Sequence, residues 1–434
     1  MKHILVLALL AVAQAQFTAK AESGRDRFVA HEWGTFTSVQ GADGVLLEWN
    51  PFVTAELPKF VYERNRLDNA SSRPYAYTGG VKSAFLALQR METPVIYFYS
   101  DKARTVDVSV KFPQGIITEW YPQVLKQKQP SPIVWKDVRI LPKGAGAIPA
   151  PWSCALPPNI LSFTPPSDNS GSHYYAARET DANLLQVTAS EADKTKTECE
   201  KFLFYRGIGS FATPLKIGLN ADGSYLTLQN TGEEPLRHLY VLDARNEKAG
   251  YFKVDSIPAG QTTRLKLDDQ VAENSPTDVQ DQISTAMKQS LEAEGLYPAE
   301  ASAMVKTWRD SWFGERGLRV FYVLPREWTD RTLPITIEPK PEQLTRVMVG
   351  RAEIITPQME WKLLKQIVRY SEGDSAAQAQ AVTELRDSGL GRFADAAVRR
   401  LLKSTPSPEF SRAGWGLLAG LKATGNQKQL AARE

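Results

Sequence analysis

Between Pro214 and Leu267 the chain alternates apolar and polar residues over five short runs, each cut off by a turn signal. The runs are Leu215–Leu219, Ser224–Gln229, Leu236–Leu242, Tyr251–Val254 and Thr262–Leu267, and the breaks fall at Asn220–Gly223, Asn230–Gly232 and Pro258–Gly260. Short strands at this spacing, each with one dry and one wet face, fit a sandwich of antiparallel sheets and little else. More strands are predicted upstream, at Val95–Ser100, Thr105–Phe112, Ile116–Tyr121 and Ile133–Ile140. Gly34–Gln40 and Val45–Trp49 flank Gly41–Gly44 and predict a hairpin.

The period then changes. Val279, Ile283, Met287 and Leu291 recur every fourth residue behind Ser275-Pro276, a cap and first-turn pair. Gly295 stops that helix and Pro298 starts another, which makes a helical hairpin over 276–313. Arg319–Leu324 and Pro334–Glu338 return to the strand pattern. From residue 356 to 423 four apolar stripes predict short helices, read as a capping bundle, and 424–434 is polar enough to fray. The expected fold is therefore α+β and mainly β. It consists of a β-rich body over 16–355 (sandwich-like stretch 214–268), an inserted helical hairpin and a C-terminal helical subdomain.

At the N-terminus, Lys2 and His3 precede an unbroken apolar run, Ile4–Val12, and Ala13-Gln14-Ala15 follows it. This is the pattern of a cleavable export signal over residues 1–15, with Ala19-Lys20-Ala21 as a second acceptable cut. Spanning a bilayer takes roughly 20 apolar residues, so the run is too short to anchor the chain, and no transmembrane helix is expected in the mature part. A periplasmic or secreted protein is expected. In an oxidising compartment the two cysteines, Cys154 and Cys199, are most simply a disulfide. Two unpaired thiols are the alternative. The formal net charge is only +3 and no block of one sign occurs. That argues against a nucleic-acid partner, whose phosphates need a basic face.

Familiar catalytic patterns are missing. His31-Glu32-Trp33-Gly34-Thr35 lacks the second His of a zinc-protease helix, and only His31, His173 and His238 remain in the mature chain, so no metal site is expected. There is no Gly-x-Ser-x-Gly elbow and no phosphate loop, and Gly207 and Gly209 stand outside any βαβ unit, so no cofactor is expected either. What remains is polar-aromatic. Trp308 and Trp312 lie one helical turn apart with Arg309 and Asp310 between them, an arrangement that could grip a sugar ring if exposed. Glu32 and Asp310 could then serve as a glycosidase-type acid and base. Helical spacing of Trp is equally the mark of a core face. Candidate ligand-binding residues are His31, Trp33, Trp308, Arg309 and Trp312, and the candidate catalytic pair is Glu32 and Asp310.

The segments His31–Phe36 (HEWGTF), Met91–Tyr99 (METPVIYFY), Met304–Phe313 (MVKTWRDSWF), Arg346–Ala352 (RVMVGRA) and Leu390–Phe393 (LGRF) stand in one order along most of the mature chain. In these the chain resembles a group of uncharacterised secreted bacterial proteins. The resemblance brings no activity or site residue with it and marks the first four of these places as candidates. Two functions are therefore carried forward. One is a non-catalytic envelope or extracellular protein that binds a glycan or protein partner. The other is a secreted hydrolase of glycan or peptide using paired carboxylates.

Overall fold

The structure, a computed structural model, describes residues 27–51, 57–58, 60–64, 86–124, 132–142, 172–188, 197–267, 275–405 and 407–431. The export signal and Cys154 lie outside the described residues; Cys199 is buried.

Among the described residues, seventeen strands form three sheets. In chain order they are β1 (Phe28–Gly41), β2 (Tyr62–Glu63), β3 (Gln89–Ser100), β4 (Arg104–Val110), β5 (Gly115–Tyr121), β6 (Ile133–Ile140), β7 (Leu185–Thr188), β8 (Thr197–Glu200), β9 (Leu203–Gly209), β10 (Leu215–Leu219), β11 (Tyr225–Asn230), β12 (Leu236–Ala244), β13 (Gly250–Ile257), β14 (Thr262–Lys266), β15 (Gly317–Leu324), β16 (Ile335–Glu338) and β17 (Gln343–Ile355). The nine-stranded sheet has the order β13-β12-β15-β17-β1-β3-β9-β5-β2, the five-stranded one β16-β4-β6-β7-β8, and the three-stranded one β10-β11-β14. The helices are α1 (Pro276–Ala293), α2 (Pro298–Arg309), α3 (Arg326–Thr332), α4 (Pro357–Glu372), α5 (Ser375–Arg386), α6 (Ala394–Ser404) and α7 (Pro408–Ala431). The chain is α+β and mainly β, as its patterning implies, and none of its helices among the described residues is long and apolar enough to cross a membrane.

One face of the large sheet packs on the two smaller ones. Ala30, Phe36, Met91, Ile96, Tyr205 and Val320 meet Val108, Trp135 and Leu185 of the five-stranded sheet and Ile217 and Leu228 of the three-stranded sheet. The opposite face carries Trp33, Tyr97, Phe204 and Val349 and is covered by the buried stripe of α1 and α2. Ser275 caps α1 by accepting from the Asp278 amide at 3.1 Å, and Val279, Ile283, Met287 and Leu291 face the sheet. Burying each such side chain is worth about 1.5–3 kcal/mol. A third core joins α4–α7 to Val39, Leu47, Trp49 and Ile355 at one end of the sheet.

Several boundaries differ from the sequence reading. The run Phe28–Gly41 is one strand, buried at all 14 positions, and it pairs in parallel with β17 and antiparallel with β3. A strand covered on both faces shows no alternation, which hides its length. The turn at Gly41–Gly44 forms, but its return arm makes two isolated bridges, Leu46 to Gln40 and Trp49 to Ala87, in place of a strand. The stretch 214–268 is split between sheets, with β10, β11 and β14 in one and β12 and β13 in another. Helix α7 runs on to Ala431, into the segment expected to fray.

Candidate functional site

The centre of the large sheet is irregular at one place. Pairing between β1 and β3 slips between Trp33 and Thr35, and pairing between β3 and β9 slips between Met91 and Val95. Thr93 sits there at φ 48°. A β-branched residue in the left-handed region is strained by about 1–3 kcal/mol, and such strain concentrates at functional sites. Gly34 stands opposite, where an added Cβ would lie 2.9 Å from both Pro94 Cα and Met348 Sδ. The Trp308 indole N–H donates to Thr93 Oγ1 at 3.1 Å and fixes α2 over the bulge.

From this bulge a row of charged side chains crosses the helix-covered face of the sheet. Arg319 on β15 meets Glu353 on β17, Arg351 lies two residues before Glu353, and Thr37 on β1 is in register with both Arg351 and Arg90. Thr37 donates to Glu92 Oε2 at 2.6 Å, while Arg90 Nε and Arg392 Nη1 share Glu92 Oε1 at 3.2 and 2.8 Å. Beyond β3, Arg206 on β9 holds Glu119 on β5 through Nε at 3.1 Å and Nη2 at 2.8 Å. At the other end Arg351 Nη2 bridges Glu315 at 2.8 Å and Glu353 at 3.1 Å. Burial would raise the Glu92 pKa, yet Arg392 and Arg90 overcome it and hold the carboxyl far below its ordinary value. Arg206 does the same for Glu119 against the same opposition from burial. Burial and the neighbouring Arg206 push the Arg90 guanidinium down to about 10. Glu92 and Glu119 are ionised and Arg90 is charged at neutral pH.

Five segments far apart in the chain meet at this locus. HEWGTF and RVMVGRA are adjacent strands, METPVIYFY flanks the first, Trp308 reaches Thr93, and Arg392 reaches Glu92.

The residues singled out from sequence are placed differently from one another. His31 is fully buried and shares a hydrogen bond of 2.8 Å between Nδ1 and Glu300 Oε2. Glu300 also accepts from Tyr99 Oη at 2.7 Å and from the Tyr297 amide at 2.8 Å, so one carboxylate caps α2 and ties it to β1 and β3. Glu32 points to the other face, where Tyr205 donates to it at 2.6 Å and Arg346 pairs with it at 2.6 Å. Asp310 is exposed on the helix side. The two carboxylates of the hydrolase reading therefore do not share a cleft. Nor do the indoles form a sugar grip. Trp308 and Trp312 stack at 6.3 Å and 13°, but both are buried with Trp33 in the core under α2, because the sheet takes up that helix face. Arg309 is turned outward and pairs with Asp281 at 2.5 Å rather than with Asp310. His173 packs on Tyr174 and Trp308, and His238 pairs with Glu294 at 3.2 Å. Among the described residues no group of three or more His, Cys, Asp or Glu could hold a metal ion.

Sequence reasoning missed Arg90, Glu92, Glu119, Arg206, Arg351 and Arg392. A signal was present, since Arg206 is a lone charge inside an apolar strand run, and such a charge must be paired when buried. A separate groove of about 1000 Å3 opens between the turn after β1 and the helical subdomain, lined in part by Val45, Leu86, Leu402 and the half-exposed Trp415.

No protein-family model matches the chain, and no curated protein matches it. Among solved structures it is similar to the mu-homology domain of yeast delta-COP-I, at 8% identity and TM-score 0.27 over 76% of this chain and 96% of that one. The Fcho1 mu-homology domain of Danio rerio with a bound peptide gives 6% identity and TM-score 0.29 over 76% and 97%. At these TM-scores the likeness supports no inference about this chain.

Proposed function

We propose that this is an exported binding protein of the periplasm or extracellular space that holds a glycan or protein partner without catalysing a reaction. Its ligand site is the locus around Thr93, Glu92 and Arg392. The reading is carried by one observation: HEWGTF, METPVIYFY and RVMVGRA, with Trp308 and Arg392 from elements far away in sequence, pack around that locus. Two further points support it. Strain at Thr93 costs stability that packing alone does not require. Glu92 and Glu119 are held ionised by arginines, so neither is suited to give up a proton to a leaving group. The Ala13-Gln14-Ala15 cut supports export, and in that compartment Cys154 and Cys199 are expected to be cross-linked.

A binding screen of the mature protein against glycans and peptides tests the proposal. A ligand retained by the wild type, recovered chemically unchanged, and lost from Arg392→Gln is the expected result. Recovery of a cleaved ligand, or equal retention by Arg392→Gln, contradicts it.

A further inference from the structure

Around Glu92 the buried charge does not balance. Arg90, Arg206 and Arg392 have side chains 1%, 3% and 10% exposed, and they face two carboxylates, Glu92 and Glu119. Among the described residues one positive charge is left over. The hydrogen bonds show the same surplus. Arg90 spends Nε on Glu92 and Nη1 on the Pro51 carbonyl, Arg206 spends Nε and Nη2 on Glu119, and Arg392 spends Nη1 on Glu92. Arg90 Nη2, Arg206 Nη1, and Nε and Nη2 of Arg392 are buried with no acceptor among the described residues. Glu92 already accepts from Arg90, Arg392 and Thr37. Arg90 is in register with Ile208 on β9, two residues from Arg206 on the same strand face, and Arg90 and Arg392 share Glu92 Oε1, so the three guanidinium groups are neighbours.

An unsatisfied buried donor costs about 1–3 kcal/mol, and more when charged. Four such donors gather beside Glu92, on β3, β9 and the 3-10 turn at Arg392, a richer set than at any other buried arginine pair of the described residues, and together they make the donor set of an anion site. We infer that Arg90, Arg206 and Arg392 bind a carboxylate group of the ligand. A surplus of one charge matches a monoanion better than a phosphate dianion, and planar forks of N–H donors suit the two oxygens of a carboxylate. Arg392, the outermost of the three, is the side from which the group enters. This inference rests on the proposed binding function and adds the chemistry of the ligand.

The test uses the mature protein with sodium acetate as probe and sodium chloride at equal ionic strength as reference. Thermal unfolding is expected to rise saturably with acetate beyond chloride, because a ligand that binds only the native state raises its stability. The apparent affinity is expected to fall at least tenfold in Arg392→Gln. If that variant does not fold, Arg392→Lys keeps a charge beside Glu92 but loses the fork, and it should also weaken acetate tenfold. Coincident curves in acetate and chloride, or unchanged affinity in either variant, overturn the inference. A dipeptide and its C-terminal amide separate the sources. Preference for the free dipeptide over both amide and acetate assigns the carboxylate to a chain end, while acetate and dipeptide of equal strength assign it to a small organic acid. A screened ligand that needs Arg392 yet has no carboxylate overturns this inference and leaves the binding function standing. Acetate binding accompanied by turnover of the screened ligand does the reverse.

Discussion

Arg392 donates through Nη1 to Glu92 Oε1 at 2.8 Å, joining the start of the last helices to a strand 300 residues earlier in the chain. The contact makes the C-terminal subdomain part of the sheet's charged row rather than a separate cap. Trp49 and Phe393 back it, with the Arg392 guanidinium 5.3 and 5.1 Å from their ring centres. The guanidinium is thus held between two aromatic faces and a carboxylate, a geometry that stabilises the cation while leaving its remaining donors aimed elsewhere.

Replacing Glu92 by Gln leaves Arg90 and Arg392 buried without their counter-charge. Breaking a buried pair from one side costs about 3–5 kcal/mol. Urea unfolding should show a lower midpoint with an unchanged slope; a loss under about 1 kcal/mol would mean the charge is solvated and the row is not a packed unit.

Acid should undo the same interactions. Glu92 and Glu119 have folded pKa values depressed below the ordinary 4.5. The sign is that of a native state binding fewer protons than the unfolded chain. Their contribution is complete above 4.5 and is lost as pH falls below it toward the folded values. Thermal midpoints should be flat on the neutral side and fall on the acid side, and the acid slope should be shallower in Glu92→Gln. Equal slopes in the two proteins would show that Glu92 is not the source.

Gly34→Ala probes the bulge. The new methyl would sit 2.9 Å from Pro94 Cα, a backbone atom that cannot turn aside. Overpacking of this kind costs about 1–3 kcal/mol, read by denaturant unfolding. A silent substitution would mean that β1 and β3 separate freely at the bulge.

Glu32 and Asp310 should part company under mutation. Glu32→Gln leaves the buried Arg346 with only the half-exposed Asp330 as counter-charge, at 2.7 Å, and costs about 1.5–3 kcal/mol. Asp310→Asn, on the exposed side, should change stability by less than about 0.5 kcal/mol and leave ligand binding intact. Loss of binding in Asp310→Asn with full stability would revive a role for that carboxylate.

Much of the framework was legible because alternation reports burial on one face. Ile133–Ile140 and Leu215–Leu219 match their predicted bounds, and the helical hairpin follows from the four-residue period of Val279 to Leu291. The full extents of β1 and β17 were not legible, since strands buried on both faces carry no period. The site was least legible of all. Arg90, Arg206, Arg351 and Arg392 come together only through the register of non-adjacent strands and the docking of a terminal subdomain, neither of which local pattern encodes. Trp308 and Trp312 show the converse: their spacing drew the eye, and it reflects core packing.

A crystal structure of the mature protein with the ligand recovered from the screen tests the central claim most directly. Ligand density against Arg392 and Thr93, with a carboxylate between the three guanidinium groups, is the predicted result. Density confined to the groove beside Trp415, with the donors of Arg90, Arg206 and Arg392 facing only water, would contradict it.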